Sequence, residues 1–253
     1  MGNTSIKNLW DRKWEGLKKD TRPRSSLDSV SRAIFNYIKR NIKDGPAMIL
    51  ETGCGTGRLC LALARSYPNA RVIGTDASAE SIALCEKSLK SNEVPNVSFR
   101  VMDMNHLGFD DGTFDVSFCE GVLQYLPDEL KGLKEMARVT RAGGMVFASV
   151  VNWHNYPHTI YKAIRGRSYE MFPEKSYKHG QLIKLFKDAG LEDIKIYGVY
   201  PGYGMQRIEG YVPLLGPILA QLMYLTAFIV DRFTGNWFSN TFGIQIVAKG
   251  VKK

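Results

Sequence analysis

The sequence predicts an α/β protein in which a mostly parallel sheet carries helices on both faces. Between residues 46 and 151, short apolar runs alternate with helical segments, as in strands joined by crossover helices. The length of 253 residues suits one such domain with a few added elements. The composition, 44% apolar and 23% charged, is that of an ordinary globular protein.

Apolar periodicity and turn residues give the boundaries of the predicted elements. Strands are predicted at residues 48–50, 71–74, 97–102, 114–119, 145–151, 194–199 and 242–248. Helices are predicted at residues 6–17, 26–42, 59–66, 78–91, 127–140 and 181–189. Residues 200–240 are apolar and irregular in pattern. The chain therefore divides into a basic N-terminal helical arm (1–45), a core (46–151) and a C-terminal part (152–253), in which about 200–240 form an apolar insertion.

The strongest local signal is a glycine loop that directly follows the first predicted strand. Residues 49–57 read Ile-Leu-Glu-Thr-Gly-Cys-Gly-Thr-Gly, and glycines placed there allow a tight turn and close approach of the backbone to a ligand. Asp76 ends the second strand, 19 residues after Gly57, where a carboxylate can bind both hydroxyls of a ribose. Asp103 ends the third strand, where its carboxylate can reach an adenine amino group.

The spacing of these glycines distinguishes between nucleotide ligands. A dinucleotide-binding loop has the pattern GxGxxG. Here the pattern is GxGxG, and Arg58 stands where the third glycine would pack a helix under a pyrophosphate. The phosphate-binding pattern GxxxxGK[ST] is also missing from the sequence. The loop therefore argues against NAD and against a nucleoside polyphosphate.

The sequence resembles the class I S-adenosylmethionine-dependent methyltransferases, in the branch that acts on small molecules, quinones and lipids. Five motifs in the family's order carry the resemblance: residues 51–57, 74–78, 101–104, 114–128 and 141–144. The resemblance implies a Rossmann-like, seven-stranded, mostly parallel sheet whose core, residues 46–151, binds S-adenosylmethionine. It also implies a methyl-transfer reaction with S-adenosylhomocysteine as the product.

The same resemblance implies which residues contact the cofactor. The glycine loop would lie against the methionine and ribose portions, a carboxylate and its neighbour would hold the ribose, and two residues after the third strand would border the adenine. Glu51 would support the loop, and Glu120 would lie near the methionine end. The implied set is Glu51, Gly53, Cys54, Gly55, Gly57, Asp76, Ala77, Asp103, Met104 and Glu120.

The residues that bind the methyl acceptor are harder to identify from the sequence. Four side chains near the expected position of the methyl group are candidates: Gln124, Tyr125, Trp153 and His154. We assign no catalytic residue, because a carbon or nitrogen acceptor needs little acid–base help whereas a hydroxyl needs a base. No metal is expected, because the four cysteines form no CxxC pair and no His/Cys cluster has zinc spacing. We expect reduced, mostly buried thiols in a cytoplasmic protein.

Two features outside the core bear on the substrate. Residues 1–43 hold eleven Lys and Arg against four Asp and Glu, or +7 of the net charge of +9, and Trp10 and Trp14 share one face of the helix at 6–17. Such a helix suits an anionic membrane surface, or it is a lid over the cofactor. Residues 211–230 contain no charged residue. That length can span a bilayer, but a single crossing would put the last strand on the wrong side of the membrane.

The apolar stretch leaves several alternatives: an interfacial helix, a lid over an apolar substrate, a dimer interface or a buried insertion. We expect a methyltransferase for a hydrophobic small molecule such as a lipid or quinone, acting at a membrane surface. The alternatives are a soluble methyltransferase of a polar metabolite or natural product and a non-catalytic protein that binds the cofactor. A nucleic-acid substrate is disfavoured, because residues 119–122 read Cys-Glu-Gly-Val rather than Asn/Asp-Pro-Pro-Tyr. The sequence leaves open an oligomer and binding to the inner face of the membrane.

Overall fold

The computed structural model describes residues 3–18, 27–42, 45, 48–90, 94–169, 173–199 and 215–253. Its strands are β1 (Met48–Thr52), β2 (Arg71–Asp76), β3 (Val97–Val101), β4 (Phe114–Glu120), β5 (Thr140–Val151), β6 (Leu191–Val199) and β7 (Gln245–Lys252). Its helices are α1 (Asn3–Lys18), α2 (Ser29–Asn41), α3 (Arg58–Ser66), α4 (Ala79–Lys90), α5 (Glu129–Val139), α6 (Tyr156–Arg165), α7 (His179–Asp188), α8 (Leu215–Thr234) and α9 (Trp237–Phe242). Short 3₁₀ turns lie at Leu123–Tyr125 and Gly166–Ser168.

The strands form one seven-stranded sheet in the order β3-β2-β1-β4-β5-β7-β6. All pairings are parallel except those of β7, which runs antiparallel to both β5 and β6. The predicted seven-stranded, mostly parallel sheet is therefore confirmed. The chain leaves β1 toward β3 on one side and continues from β4 on the other, so the carboxyl ends of β1 and β4 form the switch point at which ligands bind in such sheets.

The two faces of the sheet bury separate apolar clusters. Along β1, Ile49 packs into the cluster that contains α2, α3 and α4, and the next residue, Leu50, packs into the cluster that contains α5 and α7. This alternation follows from the two-residue period of a strand. Because both faces are covered, residues 48–50 of β1 are all apolar rather than alternating with polar residues.

Side chains cap several of the helices, including α6, which was not predicted from the sequence. Asp28 and Asp128 accept backbone N–H bonds at the starts of α2 and α5, and Asn155 does so at the start of α6. Gly190 follows α7 with a φ of 80°, which fits its predicted role as a helix cap. These polar caps stabilise helix ends that the apolar pattern alone does not define.

The largest difference from the predicted elements lies in the apolar insertion. We predicted residues 200–240 to be irregular, but 215–234 form one continuous helix and 237–242 form another. Pro217 does not interrupt α8, because it lies in the first turn. A backbone N–H at that position would have no acceptor within the helix, so proline loses no hydrogen bond there. The last strand begins at Gln245, so the predicted start at Phe242 was wrong. Residues 200–214, which include the start of the uncharged stretch, lie outside the described residues.

Within the described chain, no helix has both the length and the apolar character needed to cross a membrane. The last strand, β7, lies between β5 and β6. This placement agrees with the topological argument made from the sequence.

Helix α9 packs backbone to backbone against the edge strand β6. A Cβ built on Gly198 would lie 2.0 Å from the carbonyl oxygen of Ser239. The Gly198 N–H donates to Oδ1 of Asn240, with a distance of 3.0 Å. The Gly198 N–H lies at the free edge of β6, on the side away from β7, and Asn240 supplies its hydrogen-bond acceptor. The contact also fixes the α8–α9 hairpin to the sheet.

We expect Gly198→Ala to destabilise the protein by about 1–3 kcal/mol, the usual cost of an added methyl group in a fully packed site. Urea unfolding followed by circular dichroism measures this free energy. Gly180→Ala is the matched control: its Cβ meets nothing within 4 Å in the first turn of α7. That control is expected to be neutral or slightly stabilising. Equal stabilities of the two variants would contradict the proposed packing.

Candidate functional site

The glycine loop lies at the carboxyl end of β1. Gly53, Gly55 and Gly57 have φ values of 68°, 55° and 70°, which L side chains rarely adopt. Space is also limiting, since a Cβ on Gly53 would lie 2.4 Å from Val122 and one on Gly57 would lie 2.7 Å from Phe99. The loop therefore needs glycine both for its conformation and for the close packing of its neighbours.

Asp76, at the end of β2, lies directly beside this loop. Its Oδ2 accepts the Gly55 N–H at 3.0 Å, and its Oδ1 accepts the Ser78 N–H at 2.9 Å. Burial raises the pKa of Asp76, although these backbone hydrogen bonds oppose the rise. Each carboxylate oxygen has more than one lone pair, so Asp76 can still accept hydrogen bonds from two ribose hydroxyls. This arrangement is compatible with the predicted ribose-binding role.

The two residues predicted to border an adenine differ in their surroundings. Asp103 is exposed after β3, and its Oδ1 accepts from the backbone and side-chain amides of Asn105. The Met104 side chain is buried in the core beneath Gly132. Met104 can therefore border a ligand only through its backbone. Ala77 is exposed beside Asp76, as its predicted position requires.

Glu51 lies beneath the loop, inside the protein. Its Oε2 accepts both the N–H of Cys60, at 3.1 Å, and the Cys60 thiol, at 2.8 Å. These bonds tie β1 to the first turn of α3, in keeping with the predicted support of the loop. Burial raises the pKa of Glu51 to about 8 against the hydrogen bonds from Cys60, and the nearby Glu120 raises it further.

Glu120, at the end of β4, accepts a hydrogen bond from the Ser31 hydroxyl at 2.7 Å, and burial raises its pKa as well. Two carboxyl groups of raised pKa thus lie near the end predicted to hold the methionine portion. A cationic ammonium group bound there would favour their ionised forms. The four cysteines, Cys54 among them, are buried and free, as expected.

Helix α1 covers the loop from above. The Trp14 ring lies 3.2 Å from the position of a Cβ on Gly55. Trp10 stacks on Trp14, with 5.6 Å between ring centroids, and meets the Tyr125 ring edge-on at 5.1 Å. Asp11 accepts a hydrogen bond from the Ser78 hydroxyl. Of the two alternatives for this helix, the structure favours the lid: the aromatic face that suggested a membrane surface is turned toward the site.

The four candidate substrate residues differ in their surroundings. Gln124 is buried, and its side-chain oxygen accepts the Val151 N–H at 3.1 Å, which joins the 3₁₀ turn to β5. His154 contacts His179, with 3.3 Å between their Nδ1 atoms, and the neighbouring Trp153 ring lies under Lys178. Of the four candidates, Tyr125 is the one whose ring contact with α1 connects it to the glycine loop.

Two groups of residues near the site could not be assigned to it from the sequence. The side chains of α1 that close over the loop were predicted only as one alternative for that helix. Glu174 hydrogen bonds to Tyr125, although 49 positions separate the two residues. No motif or spacing connects these segments, so only the folded chain reveals the contact.

The residues present fit S-adenosylmethionine. Three glycines in the loop place no side chain of their own between the backbone and a ligand, and Asp76 keeps lone pairs for a ribose. The Trp14 indole N–H is buried and has no acceptor among the described residues. Buried donors without a partner are rare, which makes this donor available to a ligand that lies under α1. Within the described segments, no group of three or more His, Cys, Asp or Glu side chains could hold a metal ion.

Comparisons with known proteins identify the family that the chain resembles. A family model described as a methyltransferase domain matches residues 49–144. An uncharacterized methyltransferase of Schizosaccharomyces pombe is 33% identical over 125 residues, which are 47% of this chain and 43% of that protein. The chain thus spans less than half the length of that relative. A ubiquinone biosynthesis O-methyltransferase of Coxiella burnetii is 28% identical over 182 residues, covering 69% of this chain and 76% of the relative.

The fold is also that of a solved methyltransferase. The geranyl diphosphate C-methyltransferase of Streptomyces coelicolor A3(2), in complex with Mg²⁺, geranyl diphosphate and S-adenosylhomocysteine, superposes with a TM-score of 0.67. The superposition covers all of both chains at 15% sequence identity. At this identity the likeness concerns the fold.

We expect Asp76→Ala to weaken binding of S-adenosylmethionine by about 10- to 100-fold, the scale of one or two hydrogen bonds to a charged group. Isothermal titration calorimetry measures the change directly. Asp188→Ala, which removes an exposed carboxylate paired with Lys184 on α7, is the matched control. If both variants bind the cofactor like the unaltered protein, Asp76 does not hold the ribose.

The raised pKa of Glu51 predicts a pH dependence of stability. A group whose pKa rises on folding contributes stability that is fully present below its unfolded value, near 4.5, and is lost as the pH rises through about 8. At pH 7 the loss is about 3 kcal/mol. Glu51→Gln keeps an acceptor for Cys60 but cannot ionise. Its urea-unfolding free energy should therefore fall less between pH 5 and pH 8, and parallel curves for both proteins would refute the prediction.

Proposed function

We propose that this chain, which belongs to the class I S-adenosylmethionine-dependent methyltransferases, methylates a hydrophobic small molecule such as a lipid or quinone at a membrane surface. The proposal rests on the apolar surface that α8 exposes. Within this family the cofactor supplies an electrophilic methyl group to a substrate held in line with it. The exposed surface outside the core helps to identify that substrate.

Helix α8 buries a narrow stripe and exposes a wide apolar one. Its buried residues, Ala220 and Ala227, are small and seven positions apart. The opposite side exposes seven large apolar side chains, with Phe228 at 71% and Phe233 at 80%. The full set is Ile218, Leu219, Leu222, Leu225, Phe228, Ile229 and Phe233. A helix that is apolar on its solvent side is unusual for a water-exposed surface and suits insertion into the boundary of a bilayer.

Helix α6 adds a second apolar stripe to this surface. Tyr156, Ile160 and Ile164 are exposed at intervals of four residues, which places them on one side of the helix. The Tyr156 ring contacts Phe242 of α9, and Phe242 in turn contacts the exposed Trp237. Ring contacts thus connect the start of α6 to the α8–α9 hairpin. We call the exposed apolar side chains of α6 and α8, together with Trp237, the apolar surface.

Cationic residues lie at the ends of both helices. Arg165 and Arg167 follow Ile164 and are exposed, and Arg232 is exposed beside Phe233. Arginines at the edge of an apolar surface favour contact with anionic headgroups. We therefore propose the anionic face of a bilayer as the occupant of the apolar surface, rather than a second copy of the chain.

A hydrophobic substrate fits this location, because a molecule dissolved in a bilayer is reached most readily by an enzyme bound there. The Coxiella burnetii relative, named for ubiquinone biosynthesis, supports a substrate of this class. In the site, the rings of Trp10 and Trp14 on α1 would exclude water from the reacting groups, while Asp76 and the glycine loop would orient the cofactor. These residues position and enclose the reactants; none of them is required to form a covalent bond.

We expect the protein to float with vesicles of phosphatidylcholine and phosphatidylglycerol at low salt, and Phe228→Glu/Phe233→Glu to lose most of that binding. A carboxylate placed in the interface opposes both the apolar insertion and the anionic lipid. The control is Asn69→Glu/Ala142→Glu, which adds the same two charges at exposed positions, one in the turn before β2 and one in β5. Size-exclusion chromatography of both variants tests the competing dimer interface, since loss of a dimer with unchanged flotation would overturn the membrane proposal.

The same proteins test the reaction. With methyl-labelled cofactor and a lipid extract, the label should pass into the organic phase, and Phe228→Glu/Phe233→Glu should reduce this transfer while binding the cofactor normally. Mass spectrometry of the organic phase identifies the methylated product. Label confined to water-soluble products would instead support a methyltransferase of a polar metabolite.

A further inference from the structure

Two side chains on the inner face of α1 contact the part of the site that is predicted to hold the ribose. Asp11 and Trp14 are three positions apart, which places them on one face of the helix. Trp14 lies against Gly55, and Asp11 accepts a hydrogen bond from the hydroxyl of Ser78. Gly55 and Ser78 are also the residues whose backbone N–H groups bond to Asp76. Helix α1 therefore contacts both residues that hold the Asp76 carboxylate.

The closed position of α1 brings two carboxylates close together. Asp11 and Asp76 accept hydrogen bonds from different atoms of one residue, Ser78. Burial raises the pKa of Asp76, and the negative charge of Asp11 raises it further against the backbone hydrogen bonds. Both residues are partly exposed and the neighbouring Ala77 is exposed, so the pair is not sealed inside the protein. Like charges this close disfavour each other unless hydrogen-bond donors lie beside them.

The indole N–H of Trp14 is a second unfavourable feature of the closed helix. Its Nε1 is buried and has no acceptor among the described residues. The ring atom Cζ2 lies 3.4 Å from the position of a Cβ on Gly55. In an indole, Nε1 is bonded to the carbon next to Cζ2, so the donor lies on the edge of the ring that contacts the loop. A buried donor without an acceptor opposes the closed position.

The cofactor carries the groups that compensate both features. A ribose has two neighbouring hydroxyls, and each can donate a proton to a carboxylate. Asp11 and Asp76 together offer one carboxylate for each hydroxyl. The oxygens of the ribose and of the methionine carboxylate have lone pairs, which are what the Trp14 N–H lacks. Hydrogen bonds to ionised carboxylates are stronger than those between neutral groups, so the ribose gains from a second carboxylate.

We infer that Asp11 and Trp14 are cofactor-binding residues: Asp11 and Asp76 hold the ribose between two carboxylates, and the Trp14 N–H donates to an oxygen of the cofactor. The inference rests on the proposed function and adds to its cofactor site two residues from outside the core, residues 46–151. Closure of α1 and binding of the cofactor then favour each other, because the bound cofactor supplies the partners that the closed helix lacks. Without the cofactor, charge repulsion and an unpaired donor oppose closure.

Trypsin cleavage after Arg12 and Lys13 measures the opening of α1, because a helix must unfold locally before a protease cuts it. We expect saturating S-adenosylhomocysteine to slow this cleavage in the full chain by about 5- to 100-fold, the range of typical couplings between two equilibria. In Asp11→Asn and in Trp14→Phe this protection should be several-fold smaller. Because protection is a ratio within each variant, a changed intrinsic cleavage rate does not affect it.

Calorimetry gives an independent measurement on the same proteins. The affinity for S-adenosylhomocysteine should fall by about three- to ten-fold in each variant, as for one hydrogen bond. Asp11→Asn keeps an acceptor for Ser78 but lacks the charge, so cleavage of its α1 without ligand should be unchanged or slower. A purely structural role would instead speed cleavage by the same factor with and without ligand. The matched control is Glu15→Gln, which removes an exposed carboxylate from the same helix and should keep full protection and affinity.

The possible outcomes separate the inference from the proposed function. Equal protection and affinity in the unaltered protein, Asp11→Asn and Trp14→Phe would overturn the inference, as would cleavage of α1 that S-adenosylhomocysteine does not slow. A loss in Glu15→Gln as large as that in Asp11→Asn would also overturn it, because the effect would then come from the net charge of the helix. Failure of S-adenosylhomocysteine to bind the unaltered protein would instead count against the proposed function.

Discussion

The close approach of the backbone at residues 53–57 to neighbouring side chains is the constraint on which the rest of the site depends. Left-handed backbone at three glycines brings the loop against Val122 and Phe99 with no room for a Cβ at Gly53 or Gly57. The Gly55 N–H is thereby aimed at the Asp76 carboxylate. The loop therefore fixes the end of β1, the start of α3 and the end of β2 relative to one another. Helix α1, through Trp14, and the segment after β4, through Val122, both pack against this one turn.

Aromatic contacts connect the glycine loop to helix α1 and to Tyr125. Trp14 covers the loop, Trp10 covers Trp14, and Tyr125 meets Trp10, so a series of rings connects Gly55 to Glu174. Each ring excludes water and so strengthens the polar interactions behind it.

The two helices of the C-terminal insertion have different roles: α9 anchors the insertion to the sheet, and α8 exposes apolar side chains. Helix α9 closes on β6 through Gly198 and Asn240, which anchors the hairpin to the sheet. Helix α8 then needs only a narrow stripe of alanines for packing, and its large side chains remain exposed. A surface of this kind has no function in folding the core. It is the feature on which the proposed membrane association rests.

The sequence alone determined the strands, their parallel arrangement, the glycine loop and the carboxylates after β2 and β3, because these depend on local spacing and on apolar periodicity. It did not determine the helix at 215–234, since a segment that is apolar on all sides carries no period, and Pro217 suggested a break that the first turn tolerates. It could not choose between a lid and a membrane helix for α1, because Trp10 and Trp14 form one face in either case. Only the tertiary structure turned that face toward Gly55 and brought Glu174 to Tyr125. Such contacts depend on how distant segments pack, and no local pattern records them.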